Sequence, residues 1–126
     1  MKKPEPEMFI LHIRDAVLKI EKFTLGRRQA DLDLDDMLLS AVAYQIIIIG
    51  EASGFLPKET TNEMPEIPWK DVVGTRHKVV HDYFGVDLKV VWDVVENRLP
   101  ELKKAIERYI GNHPEVQKMD SEANNE

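Results

Sequence analysis

Between Met37 and Phe55 the chain is apolar almost without interruption, with Ala41, Ala43 and Ala52 beside the aliphatic residues and Tyr44-Gln45-Ile46-Ile47-Ile48-Ile49 at the centre. By propensity that centre suits a buried strand as well as a helix. The length of the apolar signal, and the lack of a partner strand elsewhere, decide for a helix buried on all sides that runs to about Ser53. The acidic residues Asp31, Asp33, Asp35 and Asp36 just before it offer caps and the negative charge a helix amino end prefers.

The rest of the sequence supplies helices to surround it. Ile10, Ile13, Val17 and Ile20 recur at helical spacing between Glu7 and Leu25, and Gly26 stops that first helix. Lys58 to Glu66 is a polar connection with room for a short helical turn, and Pro68 opens the next helix, which carries Trp69, Val72, Val73, Val79 and Val80 to about Asp82. Asp87 caps a helix bearing Leu88, Val91, Trp92, Val95 and Leu99, continued by Leu102, Ile106, Tyr109 and Ile110. Pro100 should kink or break that last piece, because its ring clashes with the carbonyl four residues back and its nitrogen has no proton to donate. The expectation is an all-α, up-and-down bundle of four to five helices over residues 1–114. Residues 115–126 are acidic and nearly without apolar side chains, which predicts a disordered tail.

With 126 residues, one domain is expected. No cysteine is present, so disulfides, thiolate metal sites and cysteine nucleophiles are excluded. The opening Met1-Lys2-Lys3-Pro4-Glu5-Pro6-Glu7 lacks the apolar stretch of a secretory signal, and the longest purely aliphatic run, Ile46–Ile49, is far below the roughly 20 residues of a membrane span. A cytoplasmic protein with no membrane partner is the expectation. The net charge of −6 argues against a broad surface for duplex DNA.

Against that acidic background one segment gathers cations and protonatable groups: Arg76, His77, Lys78, His81 and Tyr83. A guanidinium is a fixed, forked partner for phosphate oxygens, and an imidazole can move a proton near neutral pH. Those abilities suit metal-free cleavage of RNA, in which the 2′-hydroxyl attacks its own phosphate and donors stabilise the charge that grows on the non-bridging oxygens. On a straight helix Arg76 and His81 lie about 140° apart. They converge on one phosphate only if the helix ends near His81, if Arg76 reaches across, or if a two-fold symmetric partner contributes.

The segment Arg76, His77, Lys78-Val79-Val80, His81, Asp82, Tyr83 resembles the hallmark of the HepT family of HEPN-domain toxins. So do Ile48-Ile49-Gly50-Glu51-Ala52, Pro65-Glu66-Ile67-Pro68-Trp69, Tyr83-Phe84-Gly85-Val86-Asp87 and Val91-Trp92-Asp93. The resemblance implies a HEPN-like helical homodimer with metal-independent endoribonuclease activity centred on Arg76 and His81, and no cofactor. It also implies a partner, an MntA-type nucleotidyltransferase antitoxin that silences the toxin by transferring AMP to Tyr83.

Around this centre, His77 and Lys78 are candidates for the RNA backbone, and a solvated helix face explains them equally. Glu51, inside an apolar helix, would have a raised pKa if buried unless it pairs, with Arg76 or with a backbone donor. Asp82 is a weaker candidate to orient His81, since sequence neighbours on a helix point apart. Trp69 and Trp92 read as core anchors, and His12 and His113 as solvent or packing residues. No spacing of a dedicated metal site and no Gly-rich phosphate loop occurs. The competing reading is a noncatalytic helical module that docks on a nucleotidyltransferase, favoured by the acidic net charge that RNA would have to approach.

Overall fold

The computed structural model describes residues 5–79 and 87–124. Among them every regular element is helical, in agreement with the all-α, HEPN-like expectation. Helix α1 (Pro6–Thr24) buries Ile10, Ile13, Val17 and Ile20, the stripe read from the sequence. It ends before Gly26, whose φ of 74° is the left-handed conformation that glycine adopts without strain. The short α2 (Gln29–Leu34) pins Leu32 into the core, and Asp35 then caps α3 (Asp36–Gly54) by accepting a hydrogen bond from the Leu38 amide at 3.1 Å. Helix α4 (Lys58–Asn62) is the short turn in the polar connection.

Helix α3 packs against α1 on one side and α5 (Trp69–Val79) on the other. It is the one described helix long and apolar enough to cross a membrane by length and composition, but half of that stretch is buried within the bundle. Val42, Ile46 and Ile49 join the α1 stripe in a common core. Each fully buried aliphatic side chain contributes about 1.5–3 kcal/mol relative to exposure. The expectation of burial on all sides is corrected, however. Met37, Tyr44, Glu51 and Phe55 follow one another at helical spacing along a face that stays exposed. Gly50 sets the approach of α5: a Cβ there would lie 3.2 Å from the Val72 carbonyl oxygen and 3.5 Å from that of Val73. Trp69 anchors the start of α5, its indole donating to the Met64 carbonyl at 3.1 Å.

Asp87 caps α6 (Leu88–Asp93), its side chain accepting from the Lys89 and Val90 amides at 3.0 and 3.3 Å. Instead of breaking at Pro100, the helix runs on through a wider π-helical turn, Val94–Arg98, into α7 (Leu99–Gly111). The Leu99 amide bonds back to the Val94 carbonyl, five residues earlier. Widening the turn is how a helix accommodates a proline ring beside the carbonyl it would otherwise strike.

The expected disordered tail is also corrected. Pro114–Asn124 forms α8, packed on α1 and α7. Val116 is fully buried, Met119 leans on the core, and Asp120 receives both Arg14 Nη1 and Nη2, at 2.9 and 2.8 Å. Two apolar contacts and a forked ion pair, formed with a helix about a hundred residues earlier, order a segment whose own composition gives little reason to fold.

Candidate functional site

The last turn of α5 carries Arg76, His77 and Lys78 in sequence, all exposed. Helical geometry sends them in different directions. Arg76 and His77 face a shallow open groove between α3 and α5, walled by Gly50, Gly54, Phe55 and Val73. Lys78, two residues and about 200° on from Arg76, lies on the other flank of α5. It rims a second groove with Thr75 and Arg98, floored by Ile46, Ile49, Val72, Leu99 and Leu102.

Within the first groove Arg76 Nη1 donates to Glu51 Oε1 at 2.5 Å. Both side chains are half exposed or more, at 61% and 50%. Glu51 is therefore not the buried carboxylate that an all-round buried α3 would have made it. It lies on the exposed face of α3 with Tyr44 and Phe55, and Arg76 is its partner. The contact engages one nitrogen of a guanidinium whose fork has five donors, in a residue that lines the groove. Gly50 makes the pairing possible, because its missing side chain lets α5 approach with the Arg76 backbone nitrogen 4.0 Å from where a Cβ would stand.

The structure thus brings Arg76, Glu51 and His77 to one groove and separates Lys78 from them. His81, Asp82 and Tyr83 lie outside the described residues. Among the described residues no group of three or more His, Asp or Glu is placed to hold a metal ion. Sequence reasoning missed the apolar walls of the groove, Phe55 and Val73, exposed at 65% and 43%. Phe55 is held by stacking on Phe9, with ring centroids 5.0 Å apart and planes within 16°. The signal for them was available only through the tilt of α5 over Gly50.

A family model described as Ribonuclease HepT-like matches residues 13–109. The chain belongs to the HepT-like ribonuclease family. Curated relatives cover most of its length. A protein of Thermococcus cleftensis named "Probable ribonuclease HepT" is 37% identical over 100 residues, spanning 79% of this chain and 91% of that one. "Putative RNase TTE0752" of Caldanaerobacter subterraneus is 33% identical over 110 residues, 87% of this chain and 96% of the relative. "Putative RNase MJ1380" of Methanocaldococcus jannaschii is 31% identical over 107 residues, 85% and 98% of the two chains. No solved structure matches significantly. The family match runs from within α1 to most of α7 and stops before α8.

Proposed function

We propose that this chain is a cytoplasmic endoribonuclease toxin that cuts RNA without a metal ion, as a homodimer. The observation that carries the reading is Arg76: a guanidinium held by Glu51 at the edge of an open groove, in a chain belonging to a ribonuclease family. In the proposed reaction the 2′-hydroxyl oxygen attacks the adjacent phosphorus and the 5′-oxygen of the next nucleotide leaves. His81 takes the 2′-hydroxyl proton and a proton is returned to the departing 5′-oxygen, leaving a 2′,3′-cyclic phosphate, while Arg76 neutralises the charge that builds on the non-bridging oxygens. DNA, lacking the hydroxyl, is not cut. His77, exposed beside Arg76, and Lys78, on the far flank of α5, guide the flanking phosphates. Asp82 is assigned a minor part, orienting His81.

The homodimer is supported by the exposed apolar side chains Met37 and Tyr44 along α3 and by Phe55 and Val73, which line the groove beside Arg76. A two-fold contact through these side chains would bring two Arg76 and two His81 to a shared cleft. In this reading an MntA-type nucleotidyltransferase antitoxin transfers AMP to Tyr83. The added phosphate and bulk repel and block an incoming RNA phosphate.

Expression in a host tests the reading as a whole. Wild type should arrest growth, His81→Ala should not, and coexpression with the nucleotidyltransferase should relieve the arrest and put AMP mass on Tyr83. Tyr83→Phe should remain toxic in that partner's presence. Stable complex formation with no growth arrest would instead mark a noncatalytic docking module, and AMP on another residue would overturn the role of Tyr83.

A further inference from the structure

At the opposite end of the bundle from the α5 cations, His113, read from the sequence as a solvent or packing residue, sits in the link between α7 and α8. Both of its ring nitrogens are engaged: Nδ1 lies 2.8 Å from Glu115 Oε1 in the first turn of α8, and Nε2 lies 2.8 Å from Glu63 Oε1 at the end of α4. A neutral imidazole has a single N–H and can donate to only one of these carboxylates. With the other it would set lone pair against lone pair, so the geometry is that of an imidazolium. The ring also stacks on Tyr109, with centroids 3.9 Å apart and planes within 18°, an arrangement that favours a cation over the neutral form.

We propose that protonated His113 is a clamp that fastens the start of α8 to the end of α4 and opens when the proton is lost. The charged surroundings favour the closed form from every side. Glu63 faces the ring from α4, Glu115 from α8 and Tyr109 from α7, and Glu7 adds its negative charge beside Tyr109 from α1. The neighbouring cation, Arg108, is occupied by Glu66 and by the Glu63 carbonyl. The position itself suits the switch. His113 follows the carboxyl end of α7, where positive charge is favoured, and Glu115 offsets that charge at the amino end of α8.

The hydrogen bond to Glu63 raises the pKa of His113 above its ordinary 6.5, against the lowering effect of desolvation and with a further contribution from Glu115. A raised folded-state pKa means stability that is fully present below about 6.5 and lost as pH climbs through the folded value. The second tie of α8, Arg14 with Asp120, does not titrate in that range, so opening the clamp loosens the start of α8 and leaves its later turns attached.

Nuclear magnetic resonance titration of the full-length chain, with melting curves between pH 6 and pH 9, tests this. His113 should titrate above 6.5, the Val116 and Gln117 amide signals should follow the same curve, and the melting temperature should fall toward pH 9 more in wild type than in Glu63→Gln. That variant keeps the ring packing and should lower the His113 midpoint, so it decides the matter even if His113→Gln fails to fold. Titration of His113 at or below 6.5, or an equal loss of melting temperature in Glu63→Gln, would overturn the clamp.

Discussion

At the carboxyl end of α5 charged side chains stand open, whereas where α4, α7 and α8 meet they close on one another. Arg76 pairs with Glu51 on a surface where both remain largely in water, and His77 and Lys78 beside it are exposed. At the other end Arg108 is paired with Glu66, His113 is held between two carboxylates, and Asp120 takes both arms of Arg14. An exposed ion pair contributes about 1 kcal/mol or less to stability. The α5 cations are thus poorly placed to hold the fold and well placed to meet a phosphate. At the C-terminal seam the pair of Arg14 and Asp120 is more enclosed, at 21% and 28% exposure, and it helps to order a helix that buries Val116 and Met119 among its described residues.

If that division is right, substitutions in the two regions should separate activity from stability. The largest effect is expected from Arg76→Ala: RNA cleavage should drop about 100-fold or more, equivalent to about 2.7 kcal/mol of transition-state stabilisation, while denaturant unfolding moves by less than about 1 kcal/mol. Gly50→Val should affect both, because its side chain must push α5 away from α3. Overpacking of this kind costs about 1–3 kcal/mol, and the displaced Arg76 backbone should carry cleavage down several-fold.

Arg14→Gln belongs to the other region and should lose about 1 kcal/mol of stability with cleavage unchanged. Its pH dependence sharpens the assignment. Arg14 holds the Asp120 carboxyl below its ordinary 3.8, so this stability is present above that value and disappears as pH falls through the lowered one. Acid unfolding of wild type should accordingly be steeper than that of Arg14→Gln. The smallest effect is expected from Glu51→Gln, which keeps a hydrogen bond to Arg76 but removes the charge. Stability should stay within about 0.5 kcal/mol and cleavage should fall by a few-fold.

Much of the fold was legible because burial leaves a period in the sequence. The stripe of α1, the Asp35 and Asp87 caps and the starting point of α5 at Pro68 all follow from local chemistry. What escaped depends on contacts distant in sequence. Helix α8 has too few apolar residues to show a period, and its ties to Arg14 and Glu63 are visible only once the chain is folded. The π turn before Pro100 left no mark beyond the proline itself, because a proline's clash can be relieved by widening the helix as well as by kinking or breaking it. At the site, Arg76, His77, Lys78 and Glu51 could be picked out from residue type. That Glu51 is exposed, and that Lys78 lies apart from Arg76, depended on how α5 crosses α3 at Gly50.

The most direct measurement is the cleavage rate of a purified RNA by wild type, Arg76→Ala and His81→Ala, side by side in EDTA with their melting temperatures recorded. Rapid cutting by wild type alone, from three proteins that melt within a few degrees of one another, is the predicted result. Equal cutting by all three, or cutting that EDTA abolishes, would contradict a metal-free reaction centred on Arg76 and His81.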